Sequence, residues 1–196
     1  PLSRTRTALL VKIETDAGLT GWGETAPING ARGTIDKHLA PQLVGRNPMH
    51  HRRLWRNLWG ANFGNGLAVG AVDMALNDIR GKALGLPVTS LFGGRLRDHV
   101  PVYGSTMNYV ADEEPEDLFP REAAARVNEG FRALKMRLGR YSVAREAKVA
   151  RAVREAVGPD IRLMVDGNAA YTLRSAVQMG RVLDELNFDF FEEPLP

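Results

Sequence analysis

The sequence predicts an α/β protein in which an α+β segment precedes the first half of a (β/α)8-type barrel. Over the second half of the chain, short apolar segments alternate with longer amphipathic ones, the pattern of parallel strands joined by helical crossovers. Polar clusters follow three of these strands at about the interval of one strand-plus-helix unit, since roughly 250 residues make eight units of such a barrel. The clusters are Lys135-Met136-Arg137, Asp166-Gly167-Asn168 and Glu192-Glu193-Pro194.

The first hundred residues are predicted to form a β-hairpin followed by helices. Residues 7–15 alternate apolar and polar side chains, 16–18 form a turn, and 20–24 pair back as the second strand. Residues 25–33 are rich in Pro, Gly and Asn and indicate a loop. Helices are predicted over 35–44, 48–59 and 68–84, with a loop at 61–66. The last helix has an apolar stripe formed by Val69, Val72, Ala75, Leu76, Ile79 and Ala83.

From about residue 100 the elements alternate regularly. Strands are predicted over 100–105, 133–138, 161–166 and 188–192, and helices over 120–129, 142–157 and 172–186. Pro120 is placed at the start of its helix and Thr172 caps the last one. The fourth strand carries Phe190 and Phe191 with no later strand to pair, and soluble proteins avoid apolar edges. We therefore expect the sequence to hold about half of the working barrel, cut from a longer protein at both ends.

The composition excludes several classes of protein and of site. There are 26 Lys and Arg against 23 Asp and Glu, a formal net charge of +3, and no cysteine. The lack of cysteine rules out disulfides, thiolate ligands and thiol nucleophiles, and it favours a cytoplasmic location. No apolar run approaches the roughly 20 residues that cross a bilayer. The basic run at 50–56 indicates a solvated helix face, so no nucleic-acid partner is expected. No membrane partner is expected either.

The polar clusters supply the candidate site. Strand side chains alternate between faces, so Lys135 and Arg137 share one face. Asp166 and Asn168 follow the next strand, and Glu192 ends an aromatic run in the one after. Each motif alone has an ordinary explanation, such as a solvated strand, a turn or a helix cap. Together, two carboxylates offer the hard oxygen ligands that Mg²⁺ prefers. A nearby Lys135 could then act as a base or as a cation for an anionic substrate.

At these positions the sequence resembles the enolase superfamily, in its mandelate racemase and muconate lactonizing enzyme branch. The resemblance is carried by linked motifs that run nearly end to end, at residues 15–24, 71–82, 91–94, 130–137, 165–168 and 191–194. It implies an α+β capping domain over 1–98, lacking its N-terminal part, and the first four strands of the barrel over 99–196. It also implies Mg²⁺ as the cofactor, a small carboxylate as the substrate, and a homo-oligomer.

The resemblance implies abstraction of the proton beside a carboxylate, through an enediolate. Asp166 and Glu192 correspond to the first two metal ligands, Lys135 and Arg137 to the basic pair, and Asn168 to a residue facing substrate. The family usually has a catalytic lysine where this chain has Arg137, and arginine is a poor base because it stays protonated. That favours an acid-sugar dehydratase forming a 2-keto-3-deoxy acid, with a base on a later strand. The alternatives are a racemase, epimerase or cycloisomerase, and a non-catalytic carboxylate-binding scaffold.

By the same resemblance, two loops of the capping domain should close over the barrel mouth and set specificity. Ile28 and Asn29 are the candidates in the first loop, and Asn62 and Phe63 in the second. Ser105, at the end of the first barrel strand, is a further candidate for substrate binding. None of the four histidines (His38, His50, His51 and His99) falls at a predicted strand end, so we expect each to be a surface or packing residue.

Overall fold

The computed structural model describes residues 7–61 and 65–196. The described residues form two compact units, one ending at Asp98 and one spanning His99–Pro196. The first unit is α+β and the second is a sequence of parallel β/α units, in agreement with the predicted fold class. None of the described helices combines the length and the apolar character that a bilayer crossing requires.

The first unit is built on a two-stranded antiparallel hairpin. Strand β1 spans Leu9–Glu14 and β2 spans Thr20–Thr25, in the predicted arrangement. The hairpin packs on the long helix α4, Gly66–Leu84. Gly21 and Gly23 are the buried positions of β2, and a Cβ on either would lie about 2 Å from a carbonyl oxygen of α4. The absence of a side chain therefore lets strand and helix backbones approach closely.

The other helices of the first unit differ in detail from the sequence-based prediction. They are α1 (Ala31–Thr34), a π-helical turn (Ile35–Leu39), α2 (Ala40–Leu43), α3 (His51–Ala61) and α5 (Val88–Leu91). The predicted loop at 25–33 thus ends earlier, at Gly30, whose left-handed backbone precedes α1. Helix α5 was not predicted because four residues carry little periodicity. Most of the apolar stripe on α4 is buried, but Ala83 is exposed.

The second unit is a four-stranded parallel sheet in the order β3-β4-β5-β6. Its strands are β3 (Gly104–Ser105), β4 (Ala133–Arg137), β5 (Arg162–Asp166) and β6 (Phe190–Glu192). Its helices are α6 (Pro115–Asn128), α7 (Val143–Val157) and α8 (Leu173–Glu185). The prediction of a strand over 100–105 was too long, since only two residues pair. Helix α6 begins at Pro115, and Pro120 lies inside it rather than at its start.

The two faces of this sheet have different surroundings. Side chains on one face join the three helices in a buried core, among them Leu134, Met136, Leu163 and Val165. The opposite face carries Lys135, Met164 and Phe190 in neighbouring register positions. Phe190 is 42% exposed. The polar ends of the strands therefore lie on the face that the helices leave uncovered.

Candidate active site

Three polar side chains stand in one row at the carboxyl end of the sheet. Arg137 on β4 is in register with Asp166 on β5, and Asp166 is in register with Glu192 on β6. Residues in register on parallel strands point to the same face, so the three side chains converge. Lys135, two residues before Arg137, lies on this face as the sequence predicted. The strand period and the parallel pairing are sufficient to bring the predicted site together.

The converging side chains form one network of opposite charges. Lys135 Nζ lies 2.5 Å from Glu192 Oε2 and 3.6 Å from Asp166 Oδ2. Arg137 Nη2 donates to the same Asp166 oxygen at 3.0 Å. The Asp166 and Lys135 side chains are 6% and 10% exposed, whereas that of Glu192 is 41% exposed. The network is therefore buried around Asp166 and opens to solvent at Glu192.

The surroundings of Lys135 keep its ammonium protonated. Burial alone lowers the pKa of Lys135, but the hydrogen bond and charge of Glu192, aided by the charge of Asp166, outweigh it and raise the pKa above its ordinary value. The Tyr103 ring centroid lies 5.5 Å from Nζ, within the range of a cation–π contact. These contacts hold the ammonium of Lys135 between the two carboxylates and the Tyr103 ring.

Asn168 orders the loop that follows Asp166. Its backbone N–H and its Nδ2 both donate to Asp166 Oδ1 at 3.0 Å, and Nδ2 also donates to Glu193 Oε1 at 2.8 Å. Asn168, Ala169 and Glu193 have positive φ angles of 44°, 56° and 30°. These left-handed conformations, uncommon for residues with a Cβ, turn the two loops toward each other.

The loops after β5 and β6 are also joined by their backbones. Gly167 N–H donates to the Glu192 carbonyl at 2.9 Å, Ala169 N–H to that of Glu193 at 2.7 Å, and Tyr171 N–H to that of Pro194 at 2.9 Å. A Cβ at Gly167 would lie 3.0 Å from Pro194 Cα, so the lack of a side chain eases this approach. The relative position of Asp166 and Glu192 is thus fixed by backbone hydrogen bonds beyond the strands.

The donor set suits a hard divalent cation such as Mg²⁺. Oxygens of Asp166 and Glu192 converge on a single positive centre, the Lys135 ammonium, and two such carboxylates are hard ligands of the kind Mg²⁺ takes. Among the described residues, no group of three or more His, Cys, Asp or Glu side chains is arranged to hold a metal. The remaining positions of an octahedral ion would need water, substrate or other protein ligands.

The other predicted residues lie in different places. Ser105 is exposed and in register with Lys135. Ile28 and Asn29 belong to the first unit, where Ile28 is 53% exposed. Asn65 Nδ2 donates to the Asn29 carbonyl at 3.3 Å, so the two loops that the sequence singled out contact each other. Asn62 and Phe63 lie outside the described residues.

Three of the four histidines belong to the first unit and one to the second. His38 lies in the π-helical turn. His51 pairs with Asp73, and its Nε2 lies 2.8 Å from Asp73 Oδ1. His50 precedes α3, and His99 opens the second unit before β3. As the sequence predicted, none of the four lies at the end of a strand of the parallel sheet.

Sequence reasoning gave no role to two residues that the structure places at or near the network. Tyr103 precedes Ser105 by two positions, and that spacing could have suggested a shared face. Glu146 is fully buried under the loops that follow the strands. A glutamate in the first turn of a helix is common because it favours the helix dipole, so no local signal distinguished Glu146.

Models of two protein families match most of the chain. Residues 3–93 match the mandelate racemase and muconate lactonizing enzyme N-terminal domain, and residues 119–196 match the enolase C-terminal domain-like family. The two matches follow each other in the order expected from the sequence motifs.

Individual relatives include enzymes of several reaction types. A D-galactarolactone cycloisomerase of Agrobacterium fabrum is 35% identical over 97% of this chain and 52% of its own length. An arabinonate dehydratase of Saccharolobus solfataricus is 35% identical over 94% of this chain and 51% of its own. The crystal structure of a racemase from Streptomyces coelicolor with bound magnesium has a TM-score of 0.85 and 31% identity, over 96% of this chain and 55% of the racemase. The chain therefore spans about half the length of these relatives.

Proposed function

Because the chain belongs to the mandelate racemase and muconate lactonizing enzyme branch of the enolase superfamily, we propose that the intact protein is a Mg²⁺-dependent acid-sugar dehydratase. It removes the proton α to the carboxylate of a sugar acid, and the β-hydroxyl then leaves, giving a 2-keto-3-deoxy acid. The observation that carries the proposal is the convergence of Asp166 and Glu192 beside two cations at one end of parallel strands. Relatives that include an arabinonate dehydratase support this reaction class.

Each residue of the network has a proposed task. Asp166 and Glu192 would hold the metal, and the chemistry that a bound Mg²⁺ supplies is electrostatic stabilisation of negative charge on the substrate. Lys135, whose ammonium lies beside both carboxylates, would bind the substrate carboxylate. Arg137 donates to Asp166 and fixes the orientation of its carboxylate.

The rest of the site binds and orients the sugar. The Asn168 side-chain nitrogen donates to two carboxylates, so its amide oxygen is the atom proposed to accept from a substrate hydroxyl. Ser105, exposed beside Lys135, is proposed to contact the same substrate. Ile28 and Asn29, in the unit proposed as the capping domain, would distinguish one sugar from another.

The identity of the second basic residue argues against a base at that position. Arginine stays protonated in proteins, so Arg137 cannot take the place of the lysine base that the family usually has there. A group that remains charged cannot accept the α-proton, so we propose that the base comes from a later strand of the intact barrel. This feature favours dehydration over a racemisation in which Arg137 would be one of two bases acting from opposite sides of the substrate.

A second candidate is an isomerase on the same scaffold, because the relatives also include a cycloisomerase and a racemase. The test is incubation of the intact protein with Mg²⁺ and a library of sugar acids in D₂O. Exchange of the α-hydrogen together with formation of a 2-keto acid supports the dehydratase. Exchange with an epimer or lactone product, and no keto acid, supports the isomerase. No exchange with any member of the library would refute both and favour a non-catalytic carboxylate-binding scaffold.

A further inference from the structure

A buried carboxylate joins the loops that follow three strands of the second unit. Glu146, in the first turn of α7, has no exposed surface. Its Oε1 accepts the three consecutive backbone N–H groups of residues 139–141 at 2.7–2.9 Å and the Tyr109 hydroxyl at 2.7 Å. Its Oε2 accepts the Tyr171 hydroxyl. Five donors from three separate segments therefore converge on one side chain.

These donors come from the same loops that hold the proposed site. Tyr109 follows β3, residues 139–141 follow β4, and Tyr171 follows β5. Residue 139 is only two positions after Arg137, and Tyr171 three positions after Asn168. The loops after β4 and β5 also touch, because a Cβ at Gly139 would lie 2.6 Å from the Ala170 Cβ. A movement of the carboxylate would therefore displace both loops.

Tyr171 extends the connection to the fourth strand. Its ring meets that of Phe191 edge to face, with 5.2 Å between centroids. Its backbone N–H donates to the Pro194 carbonyl at 2.9 Å. Glu192 lies between these two contacts in the chain. The carboxylate of Glu146 is thus linked through a single tyrosine to the segment that carries one proposed metal ligand.

The donors that surround Glu146 require a side chain with two acceptor oxygens. An unpaired buried carboxylate is costly, but here the donors satisfy both oxygens of Glu146. Burial first, and then the neighbouring Glu146, raise the pKa values of Tyr109 and Tyr171, so both hydroxyls remain donors at neutral pH. A glutamine at this position would keep one acceptor oxygen and place an NH₂ group against a donor.

We propose that Glu146 is a positioning residue for the metal site: by holding the loops after β3, β4 and β5 together, it sets the spacing of Asp166 and Glu192. The inference rests on the proposed function insofar as those two carboxylates are the metal ligands. It assigns Glu146 no contact with substrate or metal.

The test compares Glu146→Gln with Val153→Ala in the intact protein. Val153 is fully buried in the same helix, so its truncation also destabilises the fold but leaves the loop contacts in place. Binding of Mn²⁺, as a probe for Mg²⁺, is measured by electron paramagnetic resonance at a temperature where both variants are folded. We expect E146Q to weaken Mn²⁺ binding about tenfold or more, in the range found for outer residues that orient metal ligands. V153A should bind as the wild type does.

A second readout does not depend on the metal. Amide hydrogen exchange at residues 139–141 should become faster in E146Q and stay unchanged in V153A, because only the first variant alters their acceptor. Wild-type Mn²⁺ affinity together with unchanged exchange in E146Q would overturn the inference. If the wild type itself binds no Mn²⁺, the metal site of the proposed function fails, and the exchange result alone decides whether Glu146 positions the loops.

A milder variant covers the case in which E146Q does not fold. Tyr171→Phe removes one hydroxyl and keeps the carboxylate with its other four donors. We expect Mn²⁺ affinity to fall about threefold, as for the loss of one hydrogen bond of modest net value. An affinity equal to that of the wild type would count against a positioning role that acts through Tyr171.

Discussion

Gly23→Ala is expected to disrupt the packing of the hairpin of the first unit on helix α4 and so to destabilise this unit. The Cβ of an alanine at Gly23 would lie 1.9 Å from the Ala71 carbonyl oxygen and 2.9 Å from the Ala71 carbonyl carbon. Carbon and oxygen normally stay at least about 3.3 Å apart in such contacts, so the strand would have to retreat by about 1.4 Å. Both obstacles are helix backbone, which cannot move aside as a side chain can.

The retreat has a large energetic cost because β2 is held to α4 at several points. Trp22 N–H donates to Asp78 Oδ2 at 2.9 Å, and Lys82 Nζ donates to the Thr20 carbonyl at 2.7 Å. Overpacking in a tight core typically costs 1–3 kcal/mol, and here the clash is between backbones. We therefore expect a loss of about 3 kcal/mol or more in the free energy of unfolding of this unit.

The assay is urea denaturation of the intact protein followed by circular dichroism, with Gly70→Ala as the matched control. Gly70 lies within α4, where an added Cβ meets nothing within 4 Å, so its replacement should stabilise the helix by about 0.5–1 kcal/mol. The same chemical change is thus expected to act in opposite directions at two glycines. If the free energy of unfolding of Gly23→Ala lies within about 1 kcal/mol of the wild-type value, the close-packing argument is refuted.

The remaining predictions concern the site and the pH dependence of the fold. Asp166→Ala should weaken Mg²⁺ binding by more than about 100-fold, or about 2.8 kcal/mol, in calorimetric titration. The control Asp184→Ala, on the exposed surface of α8, should bind Mg²⁺ as the wild type does. Equal affinities of the two variants would exclude Asp166 as a ligand. Lys135→Met should retain metal binding and lose turnover, and full activity of this variant would limit Lys135 to a structural role. The hydrogen bond from Lys82 lowers the pKa of Asp78 below its ordinary 3.8. The ionised carboxylate of Asp78 therefore adds to the free energy of unfolding above that pH, and this stabilisation is lost as the pH falls through the folded-state pKa. Asp78→Asn should therefore reduce the fall in stability below about pH 4 seen in acid titration, and an unchanged titration would contradict the assignment.

Strand periodicity predicted which side chains would converge, because their placement obeys short-range rules. Lys135 and Arg137 share a face by alternation, and Asp166 and Glu192 meet because parallel strands end at the same edge. The cap at Thr172 was also predicted from local chemistry, and its hydroxyl accepts the Ser175 N–H. Such features can be predicted from a few neighbouring residues and from the direction in which each strand runs.

Features that depend on contacts distant in sequence escaped prediction. The strand expected over 100–105 is reduced to Gly104–Ser105, because pairing with β4, not strand propensity, decides its length. Pro120 signalled a helix start, yet the helix begins a turn earlier at Pro115, an equally suitable first residue. The role of Glu146 depends on donors up to 37 positions away, which no local pattern records.

The left-handed residues beside Asp166 and Glu192 have a consequence for attempts to make the protein more heat-resistant. Ala169 and Glu193 adopt backbone angles that cost a residue with a Cβ about 1 kcal/mol or more each, and glycine would adopt them freely. Directed evolution under thermal selection alone should therefore accept glycine at Ala169. The same exchange would free the turn that brings the backbone N–H of Ala169 to the Glu193 carbonyl, so gains in melting temperature would be obtained at the expense of the geometry of the proposed metal site.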